Sequence, residues 1–199
     1  LFVGLSRNTL GAYRRYVTEM DEALKDYDQA YEHFVEVNDY YWRAKCLCAR
    51  GETYRRLASS AWEKEHDASE IQEYVEKARK DIQESLYLCE KYQLEDERDT
   101  AYRRLGRLSH DLGLMAFGRG EVKQAQEKLE EAYGYFKRGL EYAQNTQEAL
   151  EELENLTELA FLADDSVVFY EREPIPEYYR RAVNELEEGL QGHKKDPRR

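Results

Sequence analysis

Leu10-Gly11 followed by Ala23, Tyr27 and Ala30, and Leu112-Gly113 followed by Ala125, Leu129 and Ala132, decide the fold. The two sets share every internal spacing and lie 102 residues apart. After each Leu-Gly pair, apolar residues recur at steps of four and three, the spacing of one helix face. A glycine on a first helix lets a second approach closely. The alanines keep that approach short, and Tyr27 or Leu129 fills the remaining space. Each set is read as a helix–turn–helix unit, and the equal spacing as one unit used more than once.

Outward from these units the chain reads as helix almost throughout. Its three prolines are Pro174, Pro176 and Pro197, so residues 1–173 contain none and are rich in strong helix formers. Eight helices are expected, near 5–17, 19–37, 41–64, 69–92, 97–117, 120–144, 147–163 and 176–191. Ser69-x2-Gln72 and Asn145-x2-Glu148 have the form of capping boxes. Gly118-Arg119-Gly120 reads as a turn, and Pro176 suits a first helical position. Leu150, Leu153, Leu156 and Leu159 are taken as one apolar stripe, and Ser166–Tyr170 as an extended connector.

An offset of 102 residues is three periods of 34, and Leu-Gly followed by Ala-x3-aromatic/Leu-x2-Ala resembles the tetratricopeptide repeat family. Gly51 and Tyr54 with Ala78, Ile82 and Leu86 form a weaker copy; Ala182, Leu186, Gly189 and Leu190 fit a last one. The resemblance implies an all-α, right-handed superhelix of antiparallel helix pairs. It is laid out as a single array over 1–192 with repeats near 4–37, 41–92, 97–144 and 147–191, and a polar tail over 193–199. No copy carries the family's helix A tryptophan or its closing proline, and two copies are lengthened, so elongated helices are expected.

Composition narrows the function. The chain has 199 residues, a net charge of −12, a pI near 5.0 and a mean hydropathy of −0.93. That argues against a nucleic-acid partner, and no apolar run is long enough to span a membrane. Aromatic residues at 13% argue against disorder. Three cysteines, Cys46, Cys48 and Cys89, with no secretory leader, fit reduced thiols in the cytoplasm. Leu1 in place of Met is read as the start of a segment of a longer protein, a scaffold or sensor in signalling.

Charge is segregated along the expected map. The first three A helices carry a net +8 and their B partners −9. In the resembled family the A helices line a concave groove, which implies a basic groove suited to an acidic peptide. The alternative is that these arginines pair with neighbouring B-helix carboxylates. A triplet recurs on the A helices: Tyr13-Arg14-Arg15, Tyr54-Arg55-Arg56 and Tyr102-Arg103-Arg104, with Tyr179-Arg180-Arg181 near the end. Its arginines either form a ladder for acidic ligands or cover apolar surface with their stems.

The family's clamp for chaperone tails is not matched, since its positions here read Asn8, Ala12, Ala49, Arg107 and Asp111 and only Arg107 fits. The partner-binding residues are expected to be Lys45, Glu52, Arg55, Arg56, Arg103, Arg107, His110 and Phe117.

Chemistry-bearing motifs are sparse. Glu63-x2-His66 is half of a di-iron pattern, with no second copy, so no metal and no cofactor are expected. Arg104-x5-His110 has the spacing found in HEPN ribonucleases, an alternative that the acidic pI opposes. The expected function is non-catalytic: a protein or an acidic peptide bound in the basic groove. Structural self-assembly is the other alternative.

Overall fold

The structure, a computed structural model, describes residues 1–146 and 149–169, with Arg180, Val183, Asn184 and Glu187 as further helical positions. Among the described residues every element is an α-helix: α1 (Phe2–Tyr16), α2 (Met20–Glu36), α3 (Tyr40–Glu63), α4 (Ala68–Tyr92), α5 (Glu95–Gly118), α6 (Val122–Thr146) and α7 (Ala149–Phe169). The all-α helix-pair reading holds. Of the expected helix over 176–191 only Arg180, Val183, Asn184 and Glu187 are described, each helical; the Tyr179-Arg180-Arg181 triplet as a unit, Glu148 and the tail lie outside the described residues.

Five turns close in one way. Thr18, Asn38, Glu65, Gln93 and Gly120 have φ of 68, 54, 56, 55 and 77°. After each, the next amide donates to a carbonyl five residues back: Glu19 to Arg14, Asp39 to Phe34, His66 to Ala61, Leu94 to Cys89 and Glu121 to Ala116, each at 2.9 Å. This is the Schellman closure, which satisfies the helix's orphan carbonyls through one left-handed residue. Only Gly120 meets that conformation without a steric cost. Asp39 adds an N-cap, its carboxylate accepting from the Trp42 amide at 3.0 Å.

From α3 onward the left-handed residues fall 27, 28 and 27 residues apart. A 34-residue period would give 17 on average. Each helix is lengthened by nearly three turns, which needs no new turn chemistry. The 102-residue offset therefore spans two hairpin steps, not three.

The chain divides into two compact units, Leu1–Arg104 and Leu105–Arg199. In the first, Ala23, Tyr27, Ala30 and Phe34 of α2 form a buried stripe with Cys46 of α3, and Ala44 and Leu47 of α3 meet Leu88 and Cys89 of α4. In the second, Leu129, Ala132, Phe136 and Leu140 of α6 pack with Leu156, Leu159 and Leu162 of α7. The repeat reaches further than the aligned residues. A Cβ on Gly4 or Gly11 would lie 2.8 or 2.9 Å from the rings of Phe34 and Tyr27. Gly106 and Gly113 stand in the same relation to Phe136 and Leu129.

Four local expectations are corrected. Ser166–Phe169 is helical, the last turn of α7; two valines cost only about 0.5 kcal/mol each in a helix already nucleated. The leucine stripe splits: Leu156 and Leu159 are buried, whereas Leu150 and Leu153 are exposed. Three-residue steps drift backwards around a helix, so Leu150 and Leu159 face opposite ways. The α4 N-cap is Asp67 rather than Ser69, with no side-chain cap bond, and Gln72 instead donates to Glu76. Asn145 lies inside α6, which runs on to Thr146.

Gly134, in the middle of α6, has open space where a Cβ would stand. Gly134→Ala is expected to raise the unfolding free energy by about 0.5–1 kcal/mol. Gly11→Ala, crowding the Tyr27 ring, is expected to lower it by about 1–3 kcal/mol. Urea denaturation followed by circular dichroism measures both.

Candidate functional site

The second arginine of the first three Tyr-Arg-Arg triplets leads to one place. Glu52, on α3, is wholly buried. Its carboxylate accepts from Arg55 Nε at 2.8 Å and Arg55 Nη2 at 3.0 Å. Arg56 Nε donates to Oε1 at 3.2 Å, and Arg104 Nη1 on α5 reaches the same oxygen at 3.0 Å. Arg15, at the end of α1, donates through Nη1 to the Ala49 carbonyl at 3.0 Å, one helical turn before Glu52. Three helices thus deliver Arg15, Arg56 and Arg104 around one carboxylate. The Arg56 side chain is 42% exposed, Arg104 17%.

Charge and burial compete here. Burial alone would pull the Arg104 guanidinium down, but Glu52 raises it. Arg15 is lowered, chiefly by burial, with the charges of Arg104 and Arg56 adding to the effect. Tyr27 of α2 lies in the same field; burial pushes its hydroxyl up, against the pull of Arg15.

The other expected residues separate from this cluster. Lys45 Nζ pairs with Glu97 Oε1 at 2.7 Å and touches the Tyr41 hydroxyl at 3.0 Å. Arg103 is not a surface residue; its side chain is buried, about 100° around α5 from Arg104. In the second unit, Arg107 Nε donates to Glu158 Oε1 at 2.6 Å and His110 Nε2 lies 2.9 Å from Asp165 Oδ2. Phe117 is half-buried near the end of α5. Of the residues expected to bind a partner, Glu52, Arg55 and Arg56 come together. Arg104 and Arg15 complete the cluster, and their signal was the triplet itself.

The segregation of charge is narrower than expected. α1 has Arg7, Arg14 and Arg15 with no acid, and α3 has five bases against two acids. α5 carries five acids against four arginines, because it starts early enough to take in Glu95 and Asp96. Pairing with B-helix carboxylates also occurs. Arg7 and Arg14 hold the buried Asp26 of α2 at 2.9 and 2.8 Å. Arg50 holds Asp81 of α4 with two bonds of 2.6 and 2.8 Å and Asp28 of α2 with one of 2.6 Å.

Among the described residues, no group of three His, Cys, Asp or Glu is placed to hold a metal ion, and no helix is long and apolar enough to cross a membrane. His66 pairs with Glu70 at 3.0 Å.

No family model matches the chain, and no curated protein does. Solved structures match its fold. The de novo designed helical repeat protein DHR64 superposes with a TM-score of 0.54 at 18% identity, covering 94% of this chain and 86% of its own. The DHF79 filament gives 0.52 at 16% identity, covering 93% of both. A circular tandem repeat protein gives 0.52 at 17%, covering 88% of this chain, which spans 40% of its length. At such identities the likeness defines the fold class: a helical repeat stack.

Arg50→Ala leaves Asp81 buried beside no cation, and is expected to cost about 3–5 kcal/mol in urea denaturation, more than Arg50→Lys. A second expectation concerns the thiols. Burial pushes Cys46 and Cys89 up to about 12 and Cys48 to about 11. The folded pKa lies above the unfolded one, so this stabilisation is complete below about pH 8.5 and is lost as pH rises through 11 to 12. Stability measured against pH should fall across that window. A thiol reagent at pH 8 should label the native protein far more slowly than the urea-unfolded chain.

Proposed function

We infer that the chain is a non-catalytic interaction module, tetratricopeptide-like in build, that holds an acidic segment of a partner protein against the α1–α3 surface of its first unit. The observation that carries this reading is the Glu52 cluster: one carboxylate shared by Arg55, Arg56 and Arg104 with Arg15 beside it, leaving a local excess of positive charge. In a chain of net charge −12, a basic patch of this kind sets both the orientation and the on-rate of an acidic partner. Arginine also gives such a partner paired hydrogen bonds that lysine cannot. Rigid helices present these groups already ordered, so little entropy is lost on binding. Three buried cysteines, none paired in a disulfide, fit a reducing compartment such as the cytoplasm.

A fluorescein-labelled Glu/Asp-rich peptide and its Lys-rich counterpart, titrated by anisotropy, test the reading. The acidic peptide is expected to bind, to weaken by about tenfold or more between low and high salt, and to lose affinity with Arg56→Ala. Equal binding of the two peptides, or affinity unmoved by salt and by Arg56→Ala, overturns it.

A self-associating module is the second reading. It is favoured by α1, where Phe2, Val3, Tyr13 and Tyr16 stand exposed. Sedimentation velocity across a concentration series separates it from a monomeric binder.

A further inference from the structure

The Glu52 cluster holds more positive charge, and more donors, than its own carboxylate uses. Arg56 and Arg104 contact Glu52, and Arg15 stands one helical turn away on the Ala49 carbonyl, three guanidiniums around one carboxylate. Among the described residues, Arg15 spends one N–H on Ala49, Arg56 spends Nε on Glu52, and Arg104 spends Nη1 on Glu52. Each guanidinium has five N–H donors. Arg104 Nε is buried with no hydrogen-bond partner. A second orphan lies alongside. Tyr27 is wholly buried, its ring is wedged against Gly11, and its hydroxyl also has no partner. The groups in electrostatic range of that hydroxyl include Arg15, Arg104 and Arg56, the second arginines of the first three triplets. A buried hydroxyl without an acceptor destabilises the folded chain, so its retention beside three under-used guanidiniums points to an acceptor that arrives from outside.

We propose that Arg15, Arg56 and Arg104, with the Tyr27 hydroxyl, form a receptor for a phosphoryl dianion, supplied as free phosphate or on a phosphorylated side chain of an acidic partner. The second source rests on the partner-binding reading above; the site itself does not. A carboxylate is planar and one arginine fork satisfies it, as Arg55 satisfies Glu52. Donors converging from α1, α3, α5 and α2 suit a tetrahedral group, whose oxygens accept in several directions. Glu52 is the positioning residue. It holds Arg55, Arg56 and Arg104 in fixed orientations, and the anion enters past the exposed side of Arg56.

Tyr27→Phe and Arg56→Gln test the proposal in the full chain, with inorganic phosphate as probe against chloride at equal ionic strength. Phosphate is expected to raise the melting temperature of the parent protein and to broaden its own phosphorus resonance. Tyr27→Phe loses no hydrogen bond in the free protein, so without phosphate it should melt at or above the parent temperature. It should nevertheless bind phosphate about tenfold more weakly. Arg56→Gln should weaken phosphate by at least about tenfold. A phosphoserine-bearing acidic peptide should then bind more tightly than its unphosphorylated form if the phosphoryl group is carried by a partner, and equally if the ligand is the free ion. No phosphate-specific stabilisation, or one unchanged in both variants, overturns the site. If the acidic peptide still binds in that case, the interaction module stands without its phosphate receptor.

Discussion

A carboxylate removed from water must be balanced within the fold, and the first unit is organised around three of them. Asp26 on α2 is held by Arg7 and Arg14 of α1, Asp81 on α4 by Arg50 of α3, and Glu52 on α3 by Arg104 of α5 together with its neighbours Arg55 and Arg56. Arg7, Arg14, Arg50 and Arg104 each reach a carboxylate on another helix. The Arg50–Asp81 contact is bidentate and fixes the register of α3 on α4, because such a fork tolerates little displacement. Apolar stripes bring the helices together, and the ion pairs choose among the ways they could slide. At two of these centres further carboxylates share the arginines, Glu19 and Glu22 on Arg14 and Asp28 on Arg50. At the third, Arg55, Arg56 and Arg104 share Glu52.

Much of this was legible in the residues, for identifiable reasons. Helix ends were readable to within a few positions because prolines are absent before Pro174 and the turns are short. The glycine–ring contacts were legible at Gly11 and Gly113 through a shared spacing, and the same offset carries on to Gly4 with Phe34 and Gly106 with Phe136. The capping boxes misled because the motif concerns side chains at a boundary, and the boundary at Asp67 falls two residues before Ser69. The three-residue leucine ladder misled because it resembles a helical repeat without keeping to one face. Arg103 and Arg104 illustrate the limit most sharply. Adjacent and chemically identical, they part company because one step along a helix turns a guanidinium from the Glu52 side into the interior, which only the placed helix shows.

The turns carry a related lesson. Four of the five left-handed closing residues are Thr18, Asn38, Glu65 and Gln93, of which only Asn38 has a recognised leaning towards that conformation. Sequence rules that look for glycine at the end of a helix find only Gly120. The others adopt the conformation because the helices on either side are packed, and the next amide has a carbonyl waiting five residues back. Local preference is overruled by the pairing that follows, and the same closure then serves hairpins of 15- and 17-residue helices and of 24- and 25-residue ones alike.

The chain has two tryptophans, Trp42 and Trp62, both on α3. Trp42 stacks on Phe34 with ring centroids 6.0 Å apart, and Lys45 lies 5.4 Å from its ring. Both indoles belong to the unit Leu1–Arg104, and the unit from Leu105 onward has none. Indole emission is therefore a built-in label for one half of the molecule. Changes in its wavelength follow the burial of α3, while far-ultraviolet ellipticity sums the helices of both halves. A displacement between those two signals along a denaturation curve would resolve the order in which the halves lose their structure, with no dye attached.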